Sequence, residues 1–396
     1  MNLDLDKSSK VTQNLCFYNS FQGNNSEPQF EPSGAYIFRP ISNKPDCLTV
    51  SKFTVYQGDQ FNEIHQVYND WLSQTIRLYK GEKNAEFNWQ VGPIDVSNND
   101  GKEVIMKFDS DLKSQTTFYT DSNGREILKR VKDFRPTWNL KQTEAVSGNY
   151  YPVNSRIFIR DEAAKTQMTL VTDRSQGGSS VNEGSMELML HRITLNDDGL
   201  GVGEPLNEKG SDGKGLVVKG SVNLIFESIE KSAKVHREIA HEINSNPLVF
   251  FSTKNSNVAM PSNGLNKLEL PANLHLLTLQ KDFDAEEKNV LLVRIEHFYE
   301  IGEDKEMSQP ASICIRDLFK GVFNVVGVKE LALGANMPVE GLNERLEWRA
   351  ESNANPKFDK LDYLKLKNNL KPQMKDDPFP FSFKPMEIRT FHVWYA

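Results

Sequence analysis

The sequence has few cysteines, no long apolar run and no concentration of positive charge. Each lack excludes a class of protein. Three cysteines among 396 residues, Cys16, Cys47 and Cys314, are too few for a disulfide framework, and an odd number leaves at least one thiol unpaired. A single bridge between Cys16 and Cys47 stays open, a question for geometry. No CxxC pair and no Cys/His cluster has the spacing of a structural zinc site. No apolar stretch approaches the ~18 residues that a membrane-spanning helix needs. The opening MNLDLDKSSKVTQNLCFY lacks the basic-then-apolar order of a signal peptide. The net charge is -7, and the densest basic run, Lys129 to Lys132, is short and followed by Asp133. That balance argues against a nucleic-acid partner. One glycosylation sequon, at Asn24, is what chance supplies in a chain of this size.

What is present is an ordinary globular composition, 38% hydrophobic and 26% charged, in a chain long enough for two or more domains. The dominant period is two. Phe87, Trp89 and Val91 alternate with Asn88 and Gln90; Ile157 and Ile159 alternate with Phe158 and Arg160; Leu291, Val293 and Ile295 alternate with Arg294 and Glu296. Such alternation predicts strands with one wet face. Turn signals punctuate them, among them Asn99-Asp100-Gly101, Ser122-Asn123-Gly124 and Asp198-Gly199. The expected fold class is all-β, of the sandwich kind. Ser228 to Ile243 breaks the pattern: it has helix formers, no Gly or Pro, and apolar residues at Ile229, Ala233, Val235, Ile239 and Ile243, which predicts an amphipathic surface helix. His236 and His241 on it are five apart, about 140° around the axis, so they do not form a metal pair and are expected at the surface. Ser252 to Leu265 and Ala350 to Asp377 read as linkers. The β pattern restarts near residue 280, which predicts a large unit over residues 1–280 and a smaller one over 281–396.

Four segments carry candidate chemistry. Thr172 to Glu208 places two glycine-rich polar loops on either side of a short strand, with Met186, Leu188 and Leu190 inward and Glu187 and Met189 outward. Its second loop holds Asp197, Asp198, Gly199 and Leu200. The two adjacent aspartates are expected to cap a turn, since neighbouring residues in a turn rarely face one ligand. Ser33 to Pro40 (SGAYIFRP) puts small residues before Tyr36; on residue type alone Tyr36 is half-buried core. Phe118 to Arg125 (FYTDSNGR) and Asp133 to Trp138 (DFRPTW) form a hairpin turn and its neighbour, with Arg125 and Arg135 expected to pair with local carboxylates. Gly148 to Asp161 (GNYYPVNSRIFIRD) is an extended segment that fits an interface or core packing equally.

Together with Leu291 to Asp304, Ala311 to Phe319, the residues Leu331, Ala335, Asn336, Arg345, Leu346 and Trp348, and the closing Pro385 to Phe391, read as an edge strand, these segments resemble glycoside hydrolase family 38 in its lysosomal-type α-mannosidase branch. The resemblance runs over nearly the whole chain but matches only the C-terminal, β-rich half of that family. It implies a large galactose-mutarotase-like β-supersandwich, then a smaller immunoglobulin-like β-sandwich, with one or two short helices. It implies that Tyr36 lines the sugar site, with Asp198 and Gly199 on the substrate side, and that Leu200 stands where the family carries an arginine. A leucine offers no hydrogen bond to a hydroxyl. The family's zinc motif and nucleophile have no counterpart here, so zinc and the catalytic residues are expected on an N-terminal catalytic half, the implied partner, acting on mannose-containing glycans in a lysosomal or secretory lumen. No membrane partner is expected. The chain alone is expected to be inactive, with an exposed apolar patch where the halves meet. The other reading from a different class is a stand-alone carbohydrate-binding or structural β module.

Overall fold

A computed structural model describes residues 10–251, 253, 268–282, 289–340 and 379–396. The expected linkers, Thr253 apart, and the tail residues Arg345, Leu346 and Trp348 lie outside these. The regular structure of the described residues is mostly strand, with α-helix only at Ile229–Asn244 and Ile315–Leu318. The chain divides into two compact units, Met1–Leu248 and Val249–Ala396. That division lies earlier than residue 280. The reason is pairing: Leu274–Lys281 is hydrogen-bonded along its length to Val290–His297 and so belongs to the second unit's sheet.

The first unit packs two antiparallel sheets. One has six strands in the order Tyr151–Val153, Gln176–Ser179, Ser185–Ile193, Lys102–Ser110, Val11–Asn19 and Asp46–Cys47. The other has nine, running from Lys52–Gln57 through Phe61–Asn69, Leu72–Tyr79, Asn84–Val91 and Val218–Ser228, then Thr166–Thr172, Arg156–Asp161, Thr117–Ser122 and Glu126–Val131. The alternating residues meet between them: Leu15, Met106, Phe108, Met186 and Leu188 from the first sheet face Phe87, Trp89, Ile157, Leu170 and Val222 from the second. Phe87 and Phe108 make the contact edge to face at 5.1 Å. A disulfide joins Cys16 to Cys47, which sit directly opposite each other in neighbouring strands, and Cys314 is not part of a disulfide.

The expected wet faces are largely covered. On the six-stranded sheet, Cys16, Tyr18 and Ile105 alternate with the core residues and are buried beneath Phe38 and Val146, with Tyr150 and Met189 packed against them. On the nine-stranded sheet the helix Ile229–Asn244 sets Val235 and Ala240 on Val171 and Ile225. The helix lies where the periodicity predicts it. Its histidines part company: His236 is buried and stacked 5.7 Å from Phe158, while His241 is half-buried, so His236 is not the surface residue expected. The angle between them already separates their environments. Burial and the charges of Arg156, Arg237 and Arg160 hold the His236 imidazole well below its ordinary titration range.

In the second unit, four strands run in the order Leu274–Lys281, Val290–His297, Ile388–Tyr395 and Val325–Leu331. A separate pair joins Ala311–Cys314 to Pro380–Phe383. The last strand is central rather than at an edge, because it is paired on both sides. Phe391 and Val393 are accordingly fully buried, with Val293, Ile295, Phe319 and Phe383 around them.

Candidate functional site

Tyr36 and Asp198 are far apart in sequence and adjacent in the fold. The Asp198 carboxylate is buried. Its Oδ2 accepts the backbone N–H groups of Tyr36 and Ile37 at 2.6 and 3.2 Å, and its Oδ1 accepts that of Leu200 at 3.2 Å. One side chain thus caps its own turn and pins the first loop to it. Gly34 makes the approach possible: a Cβ there would lie 2.6 Å from Asp198 Cγ and from its backbone nitrogen, which no side chain tolerates. Asp197 Oδ1 accepts the N–H of Gly199, whose φ of +73° suits glycine, and Asn25 Nδ2 donates to the Asp197 carbonyl at 2.8 Å. At the base of this second loop, Thr194 and Leu206 close it with two hydrogen bonds, at 3.0 and 2.9 Å.

With the backbone held, the Tyr36 side chain points away from the core. It is 61% exposed, not half-buried as its residue type suggests. Its hydroxyl lies 3.8 Å from where a Cβ on Gly201 would stand, and Leu200 and Val202 are exposed on the same loop. Tyr36, Gly199 and Leu200 therefore share one surface. Asp198 does not present its carboxylate there; its oxygens are taken up by backbone donors, so it is a positioning residue.

Beneath lies a polar layer that strand alternation hid. Arg192 ion-pairs with the buried Glu103, donates from Nη1 to the Gly34 carbonyl at 3.2 Å, and stacks over Phe38. Burial pushes the Glu103 carboxyl up, and the Arg192 charge opposes that. Glu187, expected outward, is 2% exposed. Its Oε1 accepts the hydroxyls of Tyr18 and Tyr150 at 3.0 and 2.7 Å, and burial raises its carboxyl too. A charged residue at a wet position, two strands from an aromatic one, was the available signal; the covering layer that makes it matter comes from remote segments.

The remaining segments are structural. Asp121 accepts backbone N–H groups from Asn154, Ser155, Arg156 and Gly124 at 2.7–3.0 Å, which locks the FYTDSNGR hairpin to the NYYP segment. Arg135 pairs with the carbonyls of Phe134 and Gly148, not with a carboxylate, and lies over the Tyr151 ring. Asn149 is fully buried and bonded to Asp133 and to the Ala145 carbonyl. Among the described residues no three His, Cys, Asp or Glu side chains converge as a metal ion requires, and no helix is long and apolar enough to cross a membrane.

Two family models match the chain: "Glycosyl hydrolases family 38 C-terminal domain" over residues 3–200 and "Glycosyl hydrolases family 38 C-terminal beta sandwich domain" over residues 273–391. Lysosomal alpha-mannosidase of Felis catus is 42% identical over 98% of the chain, and that of Homo sapiens 41% over 99%. An alpha-mannosidase of Canavalia ensiformis is 35% identical over 96% of it. The chain spans 37–38% of the length of these relatives. Among solved structures, an alpha-mannosidase from Enterococcus faecalis V583 superposes with a TM-score of 0.54 at 11% identity, covering 96% of this chain and 38% of that one.

Proposed function

The chain belongs to glycosyl hydrolase family 38, and from that premise we propose that it forms the C-terminal, non-catalytic portion of a retaining α-mannosidase that removes terminal α-D-mannose from N-linked glycans. In this reading it supplies the β scaffold and one wall of the sugar pocket. The observation that carries it is the clamp on Tyr36: a buried carboxylate holds the backbone of a loop whose side chain is 61% exposed. A phenol held this way can hydrogen-bond a sugar hydroxyl while its ring packs on the carbohydrate.

The bond-breaking groups belong, in this proposal, to an N-terminal catalytic half, which the full-length relatives have room for. Zinc would sit there, since the described residues of this chain offer no ligand set that fits it. Exposed Tyr36, Leu200 and Val202 give the partner and the sugar an apolar surface to meet. Leu200 cannot make the charge-assisted hydrogen bond of the arginine expected there, a loss on the order of 1.5–3 kcal/mol where nothing replaces it. The relatives named lysosomal point to a lysosomal or secretory lumen.

The test is an aryl α-mannoside assay on the purified chain, alone and mixed with the N-terminal polypeptide of the same organism. Turnover is expected from the mixture only. Turnover by the chain alone overturns the assignment of the chemistry to the other half, and an inactive mixture whose two chains do not associate favours the stand-alone β module.

A further inference from the structure

The nine-stranded sheet carries a second polar surface, on the opposite sheet of the sandwich from Tyr36. Its helix covers only the strands Thr166–Thr172 and Val218–Ser228 and their neighbours on one side. On the other side the outward residues of three strands stand in register. Thr75, Asn88 and Ser221 lie side by side across Leu72–Tyr79, Asn84–Val91 and Val218–Ser228, and Gln90 sits in the next row between Ser73 and Lys219. These side chains alternate with Phe87, Trp89 and Val91, which face the core. Neighbours in such a row are roughly 5 Å apart at Cβ.

The row floors a cleft of about 460 Å³. Its side wall is a bidentate ion pair, Asp173 with Arg174 at 3.0 Å for both contacts, fixed to the strand edge by the Ser221 N–H and the Lys219 carbonyl. A second cleft of about 800 Å³ continues from it, sharing Asp173 and Ser221, and reaches Tyr79. Tyr79 is 41% exposed and lies 5.5 Å from Phe61. From Ser73 to Tyr79 along the strand is roughly 20 Å, longer than a single sugar ring.

Four features select the occupant. Thr75, Asn88 and Gln90 are half-buried, yet no other described residue hydrogen-bonds their side chains. Their amides and hydroxyl both donate and accept, as the hydroxyls of a sugar do. Trp89 is the one apolar residue among the described residues lining the first cleft, and Arg174 lies over its ring at 5.4 Å, unlike the largely apolar core of a protein interface. The Arg174 charge is already met by Asp173, which leaves Lys219, among the described residues, as the lone unpaired cation of the first cleft and gives an anionic ligand little to hold. Tyr79 at the far end offers a ring for the apolar face of a sugar.

We propose that this groove is a carbohydrate-binding site for a neutral oligosaccharide, separate from the Tyr36 surface. Asn88 and Gln90 would read hydroxyls, and Tyr79 would stack on a further ring. The site would hold a remote part of a glycan, or keep the protein on a glycan, without contributing to bond cleavage.

The experiment is titration of the full chain with a linear α-linked mannotetraose, followed by calorimetry and by saturation-transfer NMR. Binding is expected. It should weaken at least tenfold when Asn88→Ala and Gln90→Ala are combined, weaken independently in Tyr79→Ala, and persist in Tyr36→Ala. Melting curves confirm that each variant is folded, and Tyr79→Ala serves where the floor variant is not. Absence of binding to the unaltered chain overturns the proposal. So does binding that survives both groove variants or that disappears in Tyr36→Ala. None of these outcomes depends on α-mannosidase turnover, so the inference fails or stands apart from the proposed function.

Discussion

Asp198 Oδ2 accepts the Tyr36 backbone N–H at 2.6 Å across 162 residues of sequence. The two loops are therefore one structural object, and damage to the carboxylate is damage to the tyrosine's position.

Asp198→Ala removes the acceptor from three backbone N–H groups in a buried setting. An unsatisfied buried donor costs about 1–3 kcal/mol, so urea unfolding should show a loss of at least that size. Asp198→Asn keeps one carbonyl oxygen and should lose less. Equal stability of Asp198→Ala and the unaltered chain would mean that the clamp is solvated and unimportant.

Gly34→Ala places a methyl 2.6 Å from Asp198 Cγ and backbone. Overpacking of this kind costs about 1–3 kcal/mol. Crystallography or NMR of the variant should show the Ser33–Arg39 loop displaced, and an undisturbed loop would contradict the close approach.

Cys16 and Cys47 close a loop with a sequence separation of 31. Cross-linking a loop of that length is worth about 3–4 kcal/mol in the chain-entropy account. Cys47→Ser should lower the unfolding midpoint accordingly. A midpoint that does not move under reducing conditions would contradict a formed bridge.

His236 titrates below its ordinary value of 6.5 in the folded chain. The unfolded chain then binds the proton more readily, so stability falls as pH drops below about 6.5 toward the folded value, and is unaffected above it. The raised carboxyls of Glu103 and Glu187 act the other way, gaining stability as pH falls. His236→Phe isolates the imidazole: its stability should decline less between pH 6.5 and 5 than that of the unaltered chain. Identical slopes would assign the acid sensitivity elsewhere.

The strands were legible because Phe87, Trp89 and Val91, or Met186, Leu188 and Leu190, place every second side chain in one core, and period two survives any tertiary detail. The helix was legible for the same reason at another period. What escaped depends on remote coverage. Phe158 and Glu187 occupy outward positions, but the helix buries one and Phe38, Val146 and Tyr150 cover the neighbourhood of the other. His236 follows Phe158 inward. The central placement of Ile388–Tyr395 is a matter of pairing order, which alternation does not encode. At the site, the glycines of both loops were visible, and the family resemblance singled out Tyr36. The clamp between Tyr36 and Asp198 was not visible, since no local pattern links residues so far apart. Likewise Arg192 and Glu103 find each other only once their strands are in register.

Kinetics of the Tyr36→Ala variant in the two-part enzyme tests the central claim most directly. Tyr36 is exposed, so folding should be unchanged, and the assay is run at concentrations where the variant is fully associated. A wall residue that contacts the sugar in ground and transition states alike raises KM and leaves kcat in place; a rise of about tenfold corresponds to one lost contact of ~1.4 kcal/mol. Unchanged KM and kcat in a folded, fully associated Tyr36→Ala enzyme would contradict the account.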